Sequence, residues 1–280
     1  MALTPAQLKG RIKSIAAKNN ADARLLMRIY MMDRFLERLS KSEYKDNFVI
    51  KGGILVTSML GVSMRSTMDI DTSMKNLNLS AEDAERIVKE IMRIELDDGV
   101  TFHMKKASII MDEMEYPGIR LELDALMGGM TTPIKIDIST GDVITPEAVE
   151  YSYGLLVEER SIRILAYNLE TVLGEKLQTI LSRGVYNTRM RDFYDVFALL
   201  GIYKDQISRP IFAQAFGATC KKRGTDDLAE TADRIIETIS ADSTLAELWE
   251  RYRKKFSYAS EISYNDVIDS TSKLAGLLKQ

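Results

Sequence analysis

The feature that most constrains this chain is a change of period part-way along it. Between residues 101 and 139 the apolar residues fall into short strand-like runs, Ala107 to Met111, Ile119 to Leu126 and Ile134 to Ile138. Glu115-Tyr116-Pro117-Gly118 and Met127-Gly128-Gly129 separate them, a pattern that predicts a mostly antiparallel sheet. Beyond about residue 165 the period is helical, with Leu169, Leu173, Leu177 and Ile180 on one stripe and further helical segments at 192–202, 227–240 and 263–279. The expected class is α+β: a sheet-bearing domain over 1–160 that opens with helices, then a helical domain over 161–280, the boundary falling after Thr145-Pro146-Glu147. At 280 residues and 45% hydrophobic content the chain can bury one large core or two modest ones.

Ahead of the sheet, Leu25, Ile29, Met32, Leu36 and Leu39 mark one face of a helix over 22–39. Phe48-Val49-Ile50 reads as a strand that ends in Lys51-Gly52-Gly53, and Ile54 to Leu60 as a short helix closed by Gly61. Ser80, with Asp83 three residues on, caps a helix whose stripe is Ala84, Ile87, Val88 and Ile91.

Composition excludes several classes. The formal charge of -3, from 38 basic and 41 acidic residues, argues against coating nucleic acid by charge alone, so RNA contact has to be local. The single cysteine, Cys220, leaves no internal disulfide or thiolate zinc site and reads as a buried or idle thiol. The single histidine, His103, occupies an exposed strand position and cannot supply a multi-histidine metal site. A polar amino terminus and the lack of an apolar run near the roughly 20 residues that span a bilayer point to a cytoplasmic protein with no membrane partner.

The chemistry concentrates in a few acids. In Met68-Asp69-Ile70-Asp71 the two carboxylates project from one face of an extended segment and Ile70 from the other. In Ile134-Lys135-Ile136-Asp137-Ile138 the same alternation separates Asp137 from its isoleucines; if the two strands are neighbours, three acids share one face. Carboxylate oxygens suit Mg²⁺, with Mn²⁺ as an alternative, and such ions align a nucleophile and a leaving pyrophosphate. An isolated Asp-x-Asp pair is also what a solvated strand face looks like. Lys51-Gly52-Gly53 adds a turn whose amides, at the start of a helix, approach phosphate closely, although an isolated Gly-Gly is an ordinary turn too. The conjunction is what carries the argument: strand, Gly-Gly, short helix, Arg65-x-Thr67-x-Asp69-x-Asp71, and a later strand bearing Asp137.

These residues resemble the first motifs of the DNA polymerase β-like nucleotidyltransferase superfamily, and most closely the AbiEii/AbiGii family of abortive-infection and type IV toxins. Leu173-Gly174-Glu175-Lys176-Leu177, closed by Arg183, and Arg191-Asp192-Phe193-Tyr194-Asp195-Val196 are similar to that family's third and fourth motifs. The likeness runs from about residue 48 to 200. Many members of the superfamily carry Gly-Ser at the turn; Gly52-Gly53 departs from that and leaves the phosphates to backbone amides.

The resemblance implies a magnesium-dependent nucleotidyltransferase toxin that moves a nucleotide from a nucleoside triphosphate to RNA, a tRNA 3′ end being the first candidate. It further implies a cognate antitoxin protein and a role in blocking growth or phage propagation, hence antiviral defence. Asp69, Asp71 and Asp137 are the expected metal ligands, with Asp137 alternatively the base for the acceptor hydroxyl. Lys51, Gly52, Gly53, Arg65, Thr67 and Lys176 are the expected nucleotide contacts, and Lys176 and Asp192 further catalytic candidates, with Asp195 behind them. Taken by their residues alone, Lys176 also reads as a solvated helix lysine and Asp192 as a helix-start acid. The basic run Lys221-Lys222-Arg223 and the cluster Arg251 to Lys255, interleaved with Tyr252, Phe256 and Tyr258, read as a solvated helix face or as a nucleic-acid grip. Two rivals stand beside this reading: a metal-dependent nuclease, and a non-catalytic module that binds a nucleotide or a partner.

Overall fold

A computed structural model describes residues 3–75, 80–110 and 118–279. The expected strand end at Met111 and the turn Glu115-Tyr116-Pro117 lie outside them. The chain divides into two units, Met1–Asp142 with Val149–Ala166, and Val143–Ala148 with Tyr167–Gln280. Among the described residues no helix is long and apolar enough to cross a membrane.

The first unit opens with helices α1 (Pro5–Asn19) and α2 (Ala23–Lys41). Thr4 and Gln7 close a capping box on α1, and Asp22 accepts the Arg24 amide at the start of α2. Strand β1 (Phe48–Lys51) leads through the glycine pair into α3 (Gly52–Leu60), then β2 (Asp69–Met74) and α4 (Ala81–Met92). Ser80 caps α4 by accepting the Asp83 amide at 3.0 Å, as its spacing predicts. Strands β3 (Thr101–Ile110), β4 (Gly118–Met127), β5 (Met130–Thr140), β6 (Val149–Gly154) and β7 (Ser161–Ala166) complete a seven-stranded sheet in the order β3-β4-β5-β2-β1-β7-β6. Four neighbouring pairs are antiparallel; β2 with β5 and β1 with β7 are parallel.

Alternation decides which face of this sheet is core. Ile70 on β2, Ile134, Ile136 and Ile138 on β5, and Ile119, Leu121 and Leu123 on β4 are all buried, each contributing about 1.5–3 kcal/mol. The intervening Asp69, Asp71, Asp137 and Arg120 take the opposite face by the two-residue period. Helix α2 is buried along most of its length and carries ions with it. Arg38 forks onto Asp98 at 2.7 and 3.0 Å, while Glu37 receives Arg160. The buried Asp33 accepts the Tyr153 hydroxyl at 2.9 Å and the Leu156 amide at 2.8 Å, which ties the segment after β6 to α2.

The second unit is helical: α5 (Leu169–Arg183), α6 (Met190–Tyr203), α7 (Arg209–Lys222), α8 (Leu228–Ser240), α9 (Ser243–Lys255) and α10 (Tyr264–Gly276). Gly174 lets α5 approach α7 closely, since a Cβ there would stand 3.1 Å from the Phe216 amide nitrogen. Cys220 is buried, and burial pushes its thiol up from the ordinary value. Tyr252, Phe256 and Tyr258 pack on one another and on Tyr194. Arg251, Lys254 and Lys255 stay exposed, and the aromatic part of that cluster is packing.

Candidate active site

The glycine pair is demanded by two different neighbours. Gly52 sits at φ +56°, and a Cβ on it would stand 2.8 Å from the Cβ and Cγ of Asp71. A Cβ on Gly53 would reach 2.5 Å from the Thr67 hydroxyl. With neither present, the Gly53 amide donates to Asp71 Oδ2 at 2.8 Å, and the free amino end of α3 faces an acid.

Register then assembles a row across four strands. Lys51 on β1 pairs with Asp71 on β2, Asp71 with Asp137 on β5, and Asp137 with Arg120 on β4. With strands about 4.8 Å apart, the row of cation, acid, acid, cation spans roughly 14 Å. Asp69 lies one period along β2, opposite Lys135. The strand bearing Asp137 is thus the neighbour of the strand bearing Asp69 and Asp71, the condition under which the three acids share a face.

The cations at the ends of the row are held by acids. Arg120 forks onto Asp137, Nε to Oδ1 at 2.8 Å and a terminal nitrogen to Oδ2 at 2.6 Å. Lys51 Nζ meets Asp142 Oδ2 at 2.5 Å, and the Ser139 hydroxyl donates to that same oxygen. Arg120 and Asp142 escape a reading by motif. Arg120 is one residue of an ordinary alternating strand, and only the β4–β5 register reveals its partner.

Electrostatics leave the centre of the row short of positive charge. Burial pushes the Asp71 carboxyl up; the Gly53 amide and Lys51 pull it down, while Asp137 and Asp69 push it further up. Burial and then Asp137 raise Asp69, against Lys135, Arg120 and Arg28. Acids that raise one another are relieved by a cation, and hard carboxylate oxygens are its natural donors. Among the described residues no three His, Cys, Asp or Glu side chains form a ready metal cage. Magnesium keeps several waters and is commonly held by one or two carboxylates, so Asp69 and Asp71 fit it.

Of the other expected residues, Thr67 and Arg65 pack against Gly53 at the glycine turn. Arg65 and Thr67 are buried, and their side chains donate to the carbonyls of Ser66 at 2.5 Å and Asp69 at 3.3 Å. In the second unit Lys176 meets Asp192 at 3.1 Å and Asp195 at 2.6 Å, and Arg189 meets the other Asp192 oxygen at 2.8 Å.

A mixed sheet that presents an Asp-x-Asp strand beside a glycine turn and a third acid belongs with the nucleotidyltransferases. Two solved structures share the fold: a protein from H. pylori described as a nucleotidyltransferase and JHP933 from Helicobacter pylori. Each is 16% identical at a TM-score of 0.50, with 92% of this chain covered and 95% and 94% of theirs. Among curated proteins none matches the sequence. The family model for the nucleotidyl transferase AbiEii toxin of type IV toxin–antitoxin systems matches residues 34–270, and the chain belongs to that family.

Proposed function

We propose that this nucleotidyltransferase toxin moves a nucleotide from a nucleoside triphosphate onto the terminal hydroxyl of an RNA, a tRNA 3′ end being the first acceptor to test. The observation that carries the reading is the row Lys51, Asp71, Asp137, Arg120, with its glycine turn at one end. The acceptor oxygen bonds to the α-phosphorus, the bond from that phosphorus to the β-phosphate bridge breaks, and pyrophosphate leaves. Asp137 takes the hydroxyl proton, and Arg120 keeps its carboxylate aimed while it does so. Lys51 exchanges Asp142 for a triphosphate oxygen, and the glycine turn brings the amino end of α3 toward the phosphates while its Gly53 amide keeps Asp71 in place. Asp69 and Asp71 would hold Mg²⁺, which when bound neutralises the phosphates and polarises the α-phosphorus.

Roles for Lys176 and Asp192 in the reaction belong to the proposal as well. So does neutralisation by a cognate antitoxin, which the family's place in type IV systems supports, together with a role in growth arrest or antiviral defence.

The test is incubation of the protein with total tRNA, Mg²⁺ and each α-labelled nucleoside triphosphate in turn. Label in full-length RNA is the expected result and names the base. Shortened RNA without added nucleotide would move the reading to a nuclease, and intact, unlabelled RNA with every nucleotide would remove RNA as the acceptor.

A further inference from the structure

A groove of about 370 Å³ in the first unit stands apart from the acidic row. Its walls come from α1, the first turns of α2 and the start of β5. Four cations line it, Lys9, Lys13, Arg24 and Arg28, and its lining contains no acid. In a chain of net charge -3 that local excess is a departure from the average. None of the four pairs with an acid among the described residues, whereas Lys51 and Arg120 of the row and Arg34 and Arg38 further along α2 do. Met27 and Pro133 add apolar surface between them. Cations without partners around an apolar strip match a chain that carries phosphates outside and bases or sugars inside.

Position connects the groove to the chemistry. Strand β2 begins at Asp69, opposite Lys135, so β5 runs past the end of β2 over its first residues, and the groove lies along that overhang. Pro133, at the groove's edge, lies four residues or about 13 Å along β5 from Asp137. Asp69, the acid at the near end of β2, feels the charge of Arg28.

We propose that this groove carries the phosphodiester backbone of the acceptor RNA just upstream of its reacting end. The triphosphate has its own phosphate contacts at the glycine turn, so the groove cations serve the second substrate. The identity of that polyanion rests on the nucleotidyl-transfer reading; binding itself is measured without any reaction.

The experiment is fluorescence anisotropy of a short fluorescein-labelled single-stranded RNA against the whole protein over a range of salt. The groove variant is Lys9→Glu with Arg24→Glu, both exposed and outside the row. The control, Lys221→Glu with Lys254→Glu, reverses exposed charges in the second unit. Circular dichroism melts of both variants establish that they fold. The groove variant should bind at least about tenfold more weakly, with a log–log salt slope flatter by roughly 0.7 per lost phosphate contact. Its KM for RNA should rise while its KM for the triphosphate does not. Wild-type affinity in the groove variant, a larger loss in the control, or no RNA binding by the wild type would each overturn the assignment. RNA that is bound through the groove but never labelled would contradict the transfer reading and leave the groove standing; transfer with an unchanged RNA KM in the groove variant would do the reverse.

Discussion

The Gly53 amide donates to Asp71 Oδ2 at 2.8 Å, so the glycine turn and the second acid of the Asp-x-Asp strand form one device. Gly52 makes that contact sterically available. Gly52→Ala would press a methyl group into Asp71 and add the cost of an alanine at φ +56°, together about 1–3 kcal/mol. The expected outcome is a lower Tm and at least about a tenfold loss of transfer rate, because the displaced carboxylate is one of the two acids proposed to hold the metal. Thermal unfolding together with label transfer checks both, and unchanged values for the two would remove the steric argument.

Arg120 is expected to matter alongside the motif acids, through Asp137. Arg120→Ala frees Asp137 and lowers kcat by roughly 10- to 100-fold, and Arg120→Lys fails to restore it because an ammonium cannot fork onto both carboxylate oxygens. Arg120 also lowers the Asp69 carboxyl, so its removal should move the acidic limb of the pH–rate profile to higher pH. An acidic limb that stays in place in Arg120→Ala would contradict its charge on Asp69, and a rate restored by lysine would contradict the need for the forked contact.

Asp33 gives a stability prediction independent of activity. Burial pushes its carboxyl from the ordinary 3.8 up to about 7, against the hydrogen bonds from Leu156 and Tyr153. A raised acid holds its proton longer in the folded state, so its contribution is full below 3.8 and is lost as pH rises through about 7. Over that window the wild-type Tm should fall relative to that of Asp33→Asn, whose own level is set by the lost acceptor for the Leu156 amide. Parallel curves from thermal melts at several pH values would contradict the assignment.

Lys176 holds two buried acids in the second unit, with its side chain 11% exposed and those of Asp192 and Asp195 at 5% and 0%. Lys176→Met leaves them without that cation and should cost about 3–5 kcal/mol in urea unfolding. Lys176→Arg should recover most of this. A methionine variant as stable as the wild type would assign Lys176 to substrate alone.

How far the sequence reaches is clearest along the row. Lys51, Asp69, Asp71 and Asp137 are legible because a strand's two-residue period separates each acid from its buried isoleucines. Their common face depends on the parallel pairing of β2 with β5, elements more than sixty residues apart, and no local pattern encodes it. Arg120 and Asp142 are silent for the same reason, since register alone gives them partners. Strand β6 escapes notice because Val149 to Gly154 mixes tyrosine, serine and glutamate at mostly exposed positions, Tyr153 alone being buried. Gly174 reads as a motif residue, and the structure gives it a packing role against Phe216.

The decisive comparison sets wild type against Asp69→Asn and Asp71→Asn in Mg²⁺-dependent label transfer to total tRNA. The account predicts a loss of about 10³-fold or more in each variant with the fold retained, and a double variant scarcely worse than either single one, because the two acids act as a unit. Transfer by Asp69→Asn at the wild-type rate would contradict it.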